Sequence, residues 1–237
     1  MWAAGHTEFT NGFLKIKIKY KKLKFMPKII SKIVKVLITS DFFLNLGWGL
    51  LSPIFALFIL QKITNDPFKA AEVAGFAALF YWISKSFIEI PIGHFLDKTD
   101  GERDDFWFMI IGLFIVGLVP IGFLFSTQPW HIYAFQVMHA VGMAMTLPSW
   151  LAIFTRHVDK GREAFEWSLE TTSIGAGAGI AGGIGGIISS VLGFKVLFIF
   201  VSVLTIFSAF LLLFVKNNVS KRGDGFRGAP EKPVVEP

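Results

Sequence analysis

The sequence predicts an all-α integral membrane protein with six transmembrane helices, and three observations predict it. Hydrophobic residues make up 53% of the 237-residue chain and charged ones 17%, against roughly 25% charged residues in a soluble domain. Phe alone occurs 27 times, more aromatic surface than a water-soluble domain of this size could hide. Six apolar stretches also reach the roughly 20 residues needed to cross a hydrocarbon core of about 30 Å. Backbone groups in lipid must be satisfied internally, which leaves helices or a closed barrel. No stretch alternates with the period of two that a barrel strand requires.

The elements follow in order. Helix one is expected over 38–60, two over 71–96, three over 106–126, four over 131–154, five over 166–190 and six over 194–215. Their length and near-absence of charge decide for helix over buried strand. Helix one is preceded by a basic arm, 1–37, with nine lysines between Lys15 and Lys35. The arm suits an anionic membrane surface, where each basic residue contributes on the order of 1 kcal/mol; RNA is the less favoured partner, and no nucleic acid is expected. The tail 216–237 is polar, rich in Gly, Pro and charge, and is expected to be disordered and cytoplasmic. The chain has no cysteine, so no disulfide or thiol ligand is available. No cleavable signal peptide is expected, because no short apolar core with a small-residue cleavage site follows the basic start.

Basic residues sort by side. The arm, loop 97–105 (Lys98, Arg103), loop 155–165 (Arg156, Lys160, Arg162) and the tail carry most of them, and the opposite loops hold Lys62, Lys69 and Lys195. The bias places both termini in the cytoplasm of a multi-pass plasma-membrane protein.

Polar residues within the spans mark candidate sites. Helix one carries Asp41, Asn45, Trp48, Gly49 and Ser52 on one helical face. Helix four offers Gln136, His139, Met143 and Thr146 at comparable spacing. Such faces are expected to meet each other, water or another subunit, either around a solute or as hydrogen-bonded packing. Helix two holds Lys85 and Glu89, four residues apart, about 18 and 12 Å into the span at about 1.5 Å per residue. They form a structural ion pair, or Glu89 exchanges a proton during transport, or they touch the solute. His139 titrates near neutral pH when free, but a lone membrane histidine is more often a packing residue. Asp41, near the interface, is expected to pair with basic neighbours such as Lys35, and Glu166 and Glu170 to open helix five, where acids favour the positive dipole end. Helix five holds Gly175, Gly179, Gly182, Gly183 and Gly186, with Gly177 and Gly185 between them; small residues let membrane helices approach closely.

Between helices two and three runs Gly93-His-Phe-Leu-Asp97-Lys98-Thr-Asp-Gly101-Glu-Arg103. This loop resembles the signature of the major facilitator superfamily, roughly Gly-x-x-x-Asp-Arg/Lys-x-Gly-Arg-Arg/Lys. Gly93, Asp97 and Lys98 are in register, Gly101 comes one residue late, and Arg103 follows. Gln136-Val-Met-His139-Ala-Val-Gly142 resembles the family's Arg-x-x-x-Gly-x-Gly stretch, with Gln136 in place of the arginine, which leaves proton coupling through that position without support. Helix five departs from the family's antiporter pattern, since Gly182 replaces the proline and Ala181 the preceding glycine.

The resemblance covers about 38–215 and implies one half of a twelve-helix fold, built as two inverted three-helix repeats. Gly47 with Pro53, and Gly142 with Pro148, six residues on in each case, are a trace of the repeat. It further implies that helices one and four line a cavity, two and five flank it, and three and six face lipid, with the 93–103 loop as a cytoplasmic gate. The start and tail are expected to be complete, so a single half is expected to pair with a second copy of itself or a similar half-subunit. The expected function is a secondary transporter moving a small solute by alternating access, with no cofactor and no metal. The alternatives are a non-transporting membrane scaffold or a subunit of a hetero-oligomeric transporter. A channel lacks a filter motif. An enzyme is the least expected, because no His-Glu-x-x-His or Gly-x-Ser-x-Gly occurs.

Overall fold

The structure, a computed structural model, describes residues 30–98 and 102–219. Most of the basic arm, most of the tail and Gly101 lie outside the described residues. The described residues form six long helices: α1 Lys32–Leu51, α2 Pro67–Lys98, α3 Arg103–Leu124, α4 Pro129–His157, α5 Glu163–Val191 and α6 Gly193–Leu213. All six are long and apolar enough to cross a membrane. A four-residue helix, Lys216–Val219, follows α6.

Helix α1 begins six residues before the expected start. Ser31 caps it, its side chain accepting from the Val34 amide at 3.2 Å, which satisfies one of the free first-turn donors. Lys32 and Lys35 therefore belong to the helix, both exposed on it.

Helix α1 also ends earlier than expected. Pro53 has no N–H to offer Gly49 and interrupts the ladder. The chain turns over Ser52-Pro53-Ile54, with the Ile54 amide donating to the Leu51 carbonyl at 2.9 Å. It resumes as the short helix Phe55–Ile59 and a π-helical turn Leu60–Thr64, which Asn65 closes in a left-handed conformation (φ 57°). Pro91, Pro120 and Pro148 lie inside continuous helices.

Neighbouring helices follow the order α2, α4, α3, α6, α1, α5. Helix α1 packs on α5 and α6, α4 packs on α2 and α3, and α3 and α6 pack on each other. Exchanging α1–α3 with α4–α6 leaves this pattern unchanged, as expected of two three-helix repeats. Two glycines show the correspondence in detail. A Cβ on Gly47 of α1 would sit 3.2 Å from the Val201 carbonyl of α6; one on Gly142 of α4 would sit 2.8 Å from the Gly112 carbonyl of α3. These are the glycines paired in the sequence with Pro53 and Pro148. Side-chain hydroxyls add to the packing, Ser40 donating to the Ser208 carbonyl across the α1–α6 seam at 2.9 Å and Ser202 to the Gly117 carbonyl across the α3–α6 seam at 2.5 Å.

The helices least covered by the chain are α2 and α5, not α3 and α6. About 17% of the apolar window of α2 and of α5 is buried, against 56% for α3 and 44% for α6. Helices α3 and α6 sit mid-order and give only one side to the surroundings, through Ile111, Leu118 and Ile121, and through Ile199, Phe200 and Val203. Helices α2 and α5 stand at the two ends of the order and, among the described residues, have no helix beyond them.

Candidate functional site

A cavity of about 300 Å³ opens where α1, α2 and α4 meet. Trp48, Leu51 and Ser52 line it from α1, Phe55 from beyond the Pro53 break, Ala78, Tyr81 and Trp82 from α2, and Gln136 and His139 from α4. The turn at Ser52-Pro53 ends the α1 cylinder at this level and makes room. His139 is held between two rings: Trp48 stacks on it at 3.8 Å between centroids and 9° between planes, and Tyr81 lies 4.6 Å away at 36°. Gln136 Oε1 lies 3.4 Å from His139 Nδ1. The Trp48 indole N–H is buried and, among the described residues, has no hydrogen-bond partner. A buried donor left unpaired destabilises by about 1–3 kcal/mol, so a vacant indole N–H on a cavity wall is a place for an acceptor.

The sequence-predicted residues divide. Trp48, Ser52, Gln136 and His139 come together here. Asn45 lies one turn away, its amide donating to the Asp41 carbonyl at 2.9 Å and to Asp41 Oδ2 at 3.1 Å. Met143 is half-buried on α4 and lines no described cavity. Thr146 is not a cavity residue: it is buried in the α3–α4 seam against Gly112 and donates to the Gly142 carbonyl at 2.8 Å. Tyr81 and Phe55 were missed as wall residues. The position of Tyr81 one turn from Lys85, and of Phe55 just past Pro53, was the available signal.

Lys85 and Glu89 are paired, Nζ to Oε2 at 2.6 Å, and Lys85 also lies 5.7 Å over the Trp82 ring. Lys85 is buried and Glu89 half-buried. The pair extends the Tyr81 face of α2 away from the cavity by one to two turns.

Asp41 does not pair with Lys35. Its carboxyl meets that of Glu170 across the α1–α5 seam. Glu170 is two turns into α5 and almost fully buried, so it is no first-turn dipole partner. Glu166, also buried, accepts from the Asp159 amide at 3.3 Å.

The profile of the Major Facilitator Superfamily matches residues 37–236. The chain belongs to the major facilitator superfamily. It is thereby a member of a superfamily of membrane transporters, and its six helices and paired repeats are consistent with half of the major facilitator fold. No curated protein matches the sequence.

The superfamily's loop signature lies at the basic end of the bundle. Asp97 and Lys98 end α2 and Arg103 begins α3, all three exposed, and a Cβ on Gly93 would meet nothing within 4 Å. The buried charges there are others. Asp105 of α3 forms an ion pair with Arg156 of α4, and Glu102 Oε2 lies 3.6 Å from His157 Nε2. These contacts hold the start of α3 to the end of α4. Asp105 was missed because four neighbouring acids in the loop looked alike; only its register on the helix separates it.

The glycines of α5 also sort differently from expectation. Gly175, Gly179, Gly182, Gly183 and Gly186 have open space beside them. Packing within the chain runs through Gly177, Ala181 and Gly185, spaced by four. A Cβ on Gly177 would touch Phe42, and one on Gly185 would run into the Leu50 backbone. Opposite Ala181, a Cβ on Gly49 would come within 2.9 Å. Among the described residues, no group of three His, Asp or Glu side chains is placed to hold a metal ion.

Proposed function

We propose that this chain is a secondary transporter that moves a small solute by alternating access, and that two six-helix copies form the working unit in the plasma membrane with both termini cytoplasmic. The observation that carries the proposal is the aromatic cavity at the meeting of α1, α2 and α4, with the unpaired Trp48 indole N–H on its wall. A solute with one flat apolar face and a hydrogen-bond acceptor suits Tyr81, Trp82 and Trp48, with the Gln136 amide and Ser52 hydroxyl as further partners. The uncovered faces of α2 (Phe76, Leu79, Phe80, Ile83) and α5 (Ile180, Ile184, Ile187) favour a second copy, which would close the open side of the cavity. Coupling in this scheme falls to Lys85 with Glu89, one to two turns from the cavity on α2, and to Asp41, two turns from Trp48 on α1.

The chain has no cysteine, so one introduced thiol is the only thiol present. Ser52→Cys in vesicles of either orientation is expected to react with a membrane-impermeant thiol reagent from both sides. Reaction from one side alone overturns alternating access and favours a scaffold.

A further inference from the structure

Glu170 is an acid two turns into a membrane helix, almost fully buried, and facing a second acid. Among the described residues, neither of its oxygens receives a hydrogen bond from an N–H or O–H donor. Asp41 faces it across the seam: Ile38 and Phe42, on either side of Asp41 in the α1 sequence, share a groove with Leu169 and Ser173, which flank Glu170 on α5, and the two carboxyls lie within interaction distance. Ionised carboxylates are acceptors only. Two of them in contact, shielded from water, repel strongly, and one proton between them turns the repulsion into a hydrogen bond. We propose that Asp41 and Glu170 form a shared-proton site in the α1–α5 seam, which binds one proton while the seam is closed and releases it to water when the seam opens.

The surroundings give the site an asymmetry. Asn45 donates to Asp41 Oδ2 at 3.1 Å, so Asp41 is the acceptor side and Glu170 carries the proton. Among the described residues, no cation forms an ion pair with either acid. On α1 the nearest charged group is Lys35, which lines a groove of about 460 Å³ along the same seam. On α5, Glu166 is turned to the Asp159 amide. Helix α6, packed on both α1 and α5, has no charged residue over 196–213 and only Lys195 near its start. Helix α4 brings His139, stacked on Trp48, and Arg156 and His157, which face Asp105 and Glu102.

The site is also built to move. The seam above it closes through Gly177, Ala181 and Gly185, with little side-chain volume between the helices. A small separation of α1 and α5 is enough to admit water. The groove lined by Lys35, Thr39, Thr172 and Ser173 supplies polar side chains on the way to the seam. Release of the proton leaves two carboxylates in contact, which favours the separated state; uptake favours the closed one. Proton binding and helix separation are therefore opposed.

The site stands on its own geometry; only its role in coupling rests on the transporter proposal. The test is pH-difference infrared spectroscopy of the full chain in lipid nanodiscs. A protonated-carboxyl band that titrates is expected, lost in Glu170→Gln, lost or shifted in Asp41→Asn, and unchanged in Glu72→Gln, which alters an exposed acid of α2. Asn45→Val, which leaves both acids in place, is expected to shift the band and serves if Glu170→Gln does not fold. A band that none of the seam variants moves, or no such band in the unaltered protein, overturns the proposal. Loss of the band in Glu170→Gln together with one-sided Ser52→Cys labelling keeps the proton site and removes the transporter. Two-sided labelling with an unmoved band does the reverse.

Discussion

The α1–α5 seam and the α4–α2 seam occupy corresponding places in the two repeats, yet one is a tight acid-bearing contact and the other borders a cavity. At mid-depth α5 offers Gly177, Ala181 and Gly185 to α1, so the backbones approach until a Cβ would not fit. At mid-depth α2 offers Tyr81 and Trp82 towards α4, and the rings hold space open around His139. The helix order is the same in both repeats, while the side-chain volumes are not. A repeated backbone thus supplies the scaffold, and a few large or small residues decide which seam becomes a site. The break at Pro53 adds to the asymmetry, because its counterpart Pro148 lies within an unbroken α4.

The largest effect is expected where a seam has no room at all. Gly185→Leu places a branched side chain against the Leu50 backbone, which cannot give way as a side chain would. Overpacking a core usually costs about 1–3 kcal/mol, and more where backbone must shift. Loss of the monodisperse folded protein is expected on size-exclusion chromatography in detergent. Gly183→Leu, two positions away and facing open space, is expected to leave the chain folded. Equal behaviour of the two variants would remove the tight seam.

Next comes the ion pair at the basic end. Asp105 is 1% exposed and is partnered by Arg156. Arg156→Met leaves a buried carboxylate without its cation, a change worth about 3–5 kcal/mol. A fall of that order in unfolding free energy is expected from denaturant titration in micelles. The double variant Asp105→Leu with Arg156→Met is expected to recover much of it. No recovery would mean that the pair does not fasten α3 to α4.

What the sequence showed and what it hid divide along a physical line. Helix count, order and the repeat were legible, because apolar length and the spacing of Gly47 to Pro53 and Gly142 to Pro148 depend on the chain alone. The start of α1 was missed because Lys32 and Lys35 looked like part of the arm, and Ser31 as a cap was overlooked. Half of the candidate cavity was legible: Trp48, Ser52, Gln136 and His139 are polar or amphipathic groups in an apolar stretch. Tyr81 and Phe55 were not, because an aromatic residue in a chain with 27 Phe carries no signal until its neighbours are known. The helix-five glycines were miscounted for the same reason. Seven glycines on one helix cover most of its circumference, and only the packing shows that Gly177 and Gly185 face α1.

A moderate effect is expected at His139. It is stacked on Trp48 and tilted on Tyr81, and such pairs contribute about 0.5–1.5 kcal/mol beyond area burial. His139→Phe preserves the stack and is expected to keep the unfolding midpoint close to that of the unaltered protein. His139→Ala empties the slot and is expected to lower it. If Phe destabilises as much as Ala, the imidazole nitrogens rather than the ring face hold the cavity, and Gln136, 3.4 Å away, is the partner to examine.

The smallest effect on the chain is expected to be the most informative about assembly. Gly179 and Gly183 face open space on α5, beside the exposed Ile180, Ile184 and Ile187. Gly179→Leu adds a side chain that meets nothing within the chain, so thermal stability of the single chain is expected to stay within about 0.5 kcal/mol. A second copy seated on this face, as proposed, would feel the same leucine as a bulge between apposed helices, since membrane interfaces rely on small residues for close approach. Single-particle counting in nanodiscs is then expected to show two chains per particle for the unaltered protein and one for Gly179→Leu. Two chains in both would place the partner elsewhere, with the uncovered α2 face the next to alter. One chain in both would leave the open glycine face of α5 to lipid or to a different subunit, and the two seams would then belong to a half that works without a copy of itself.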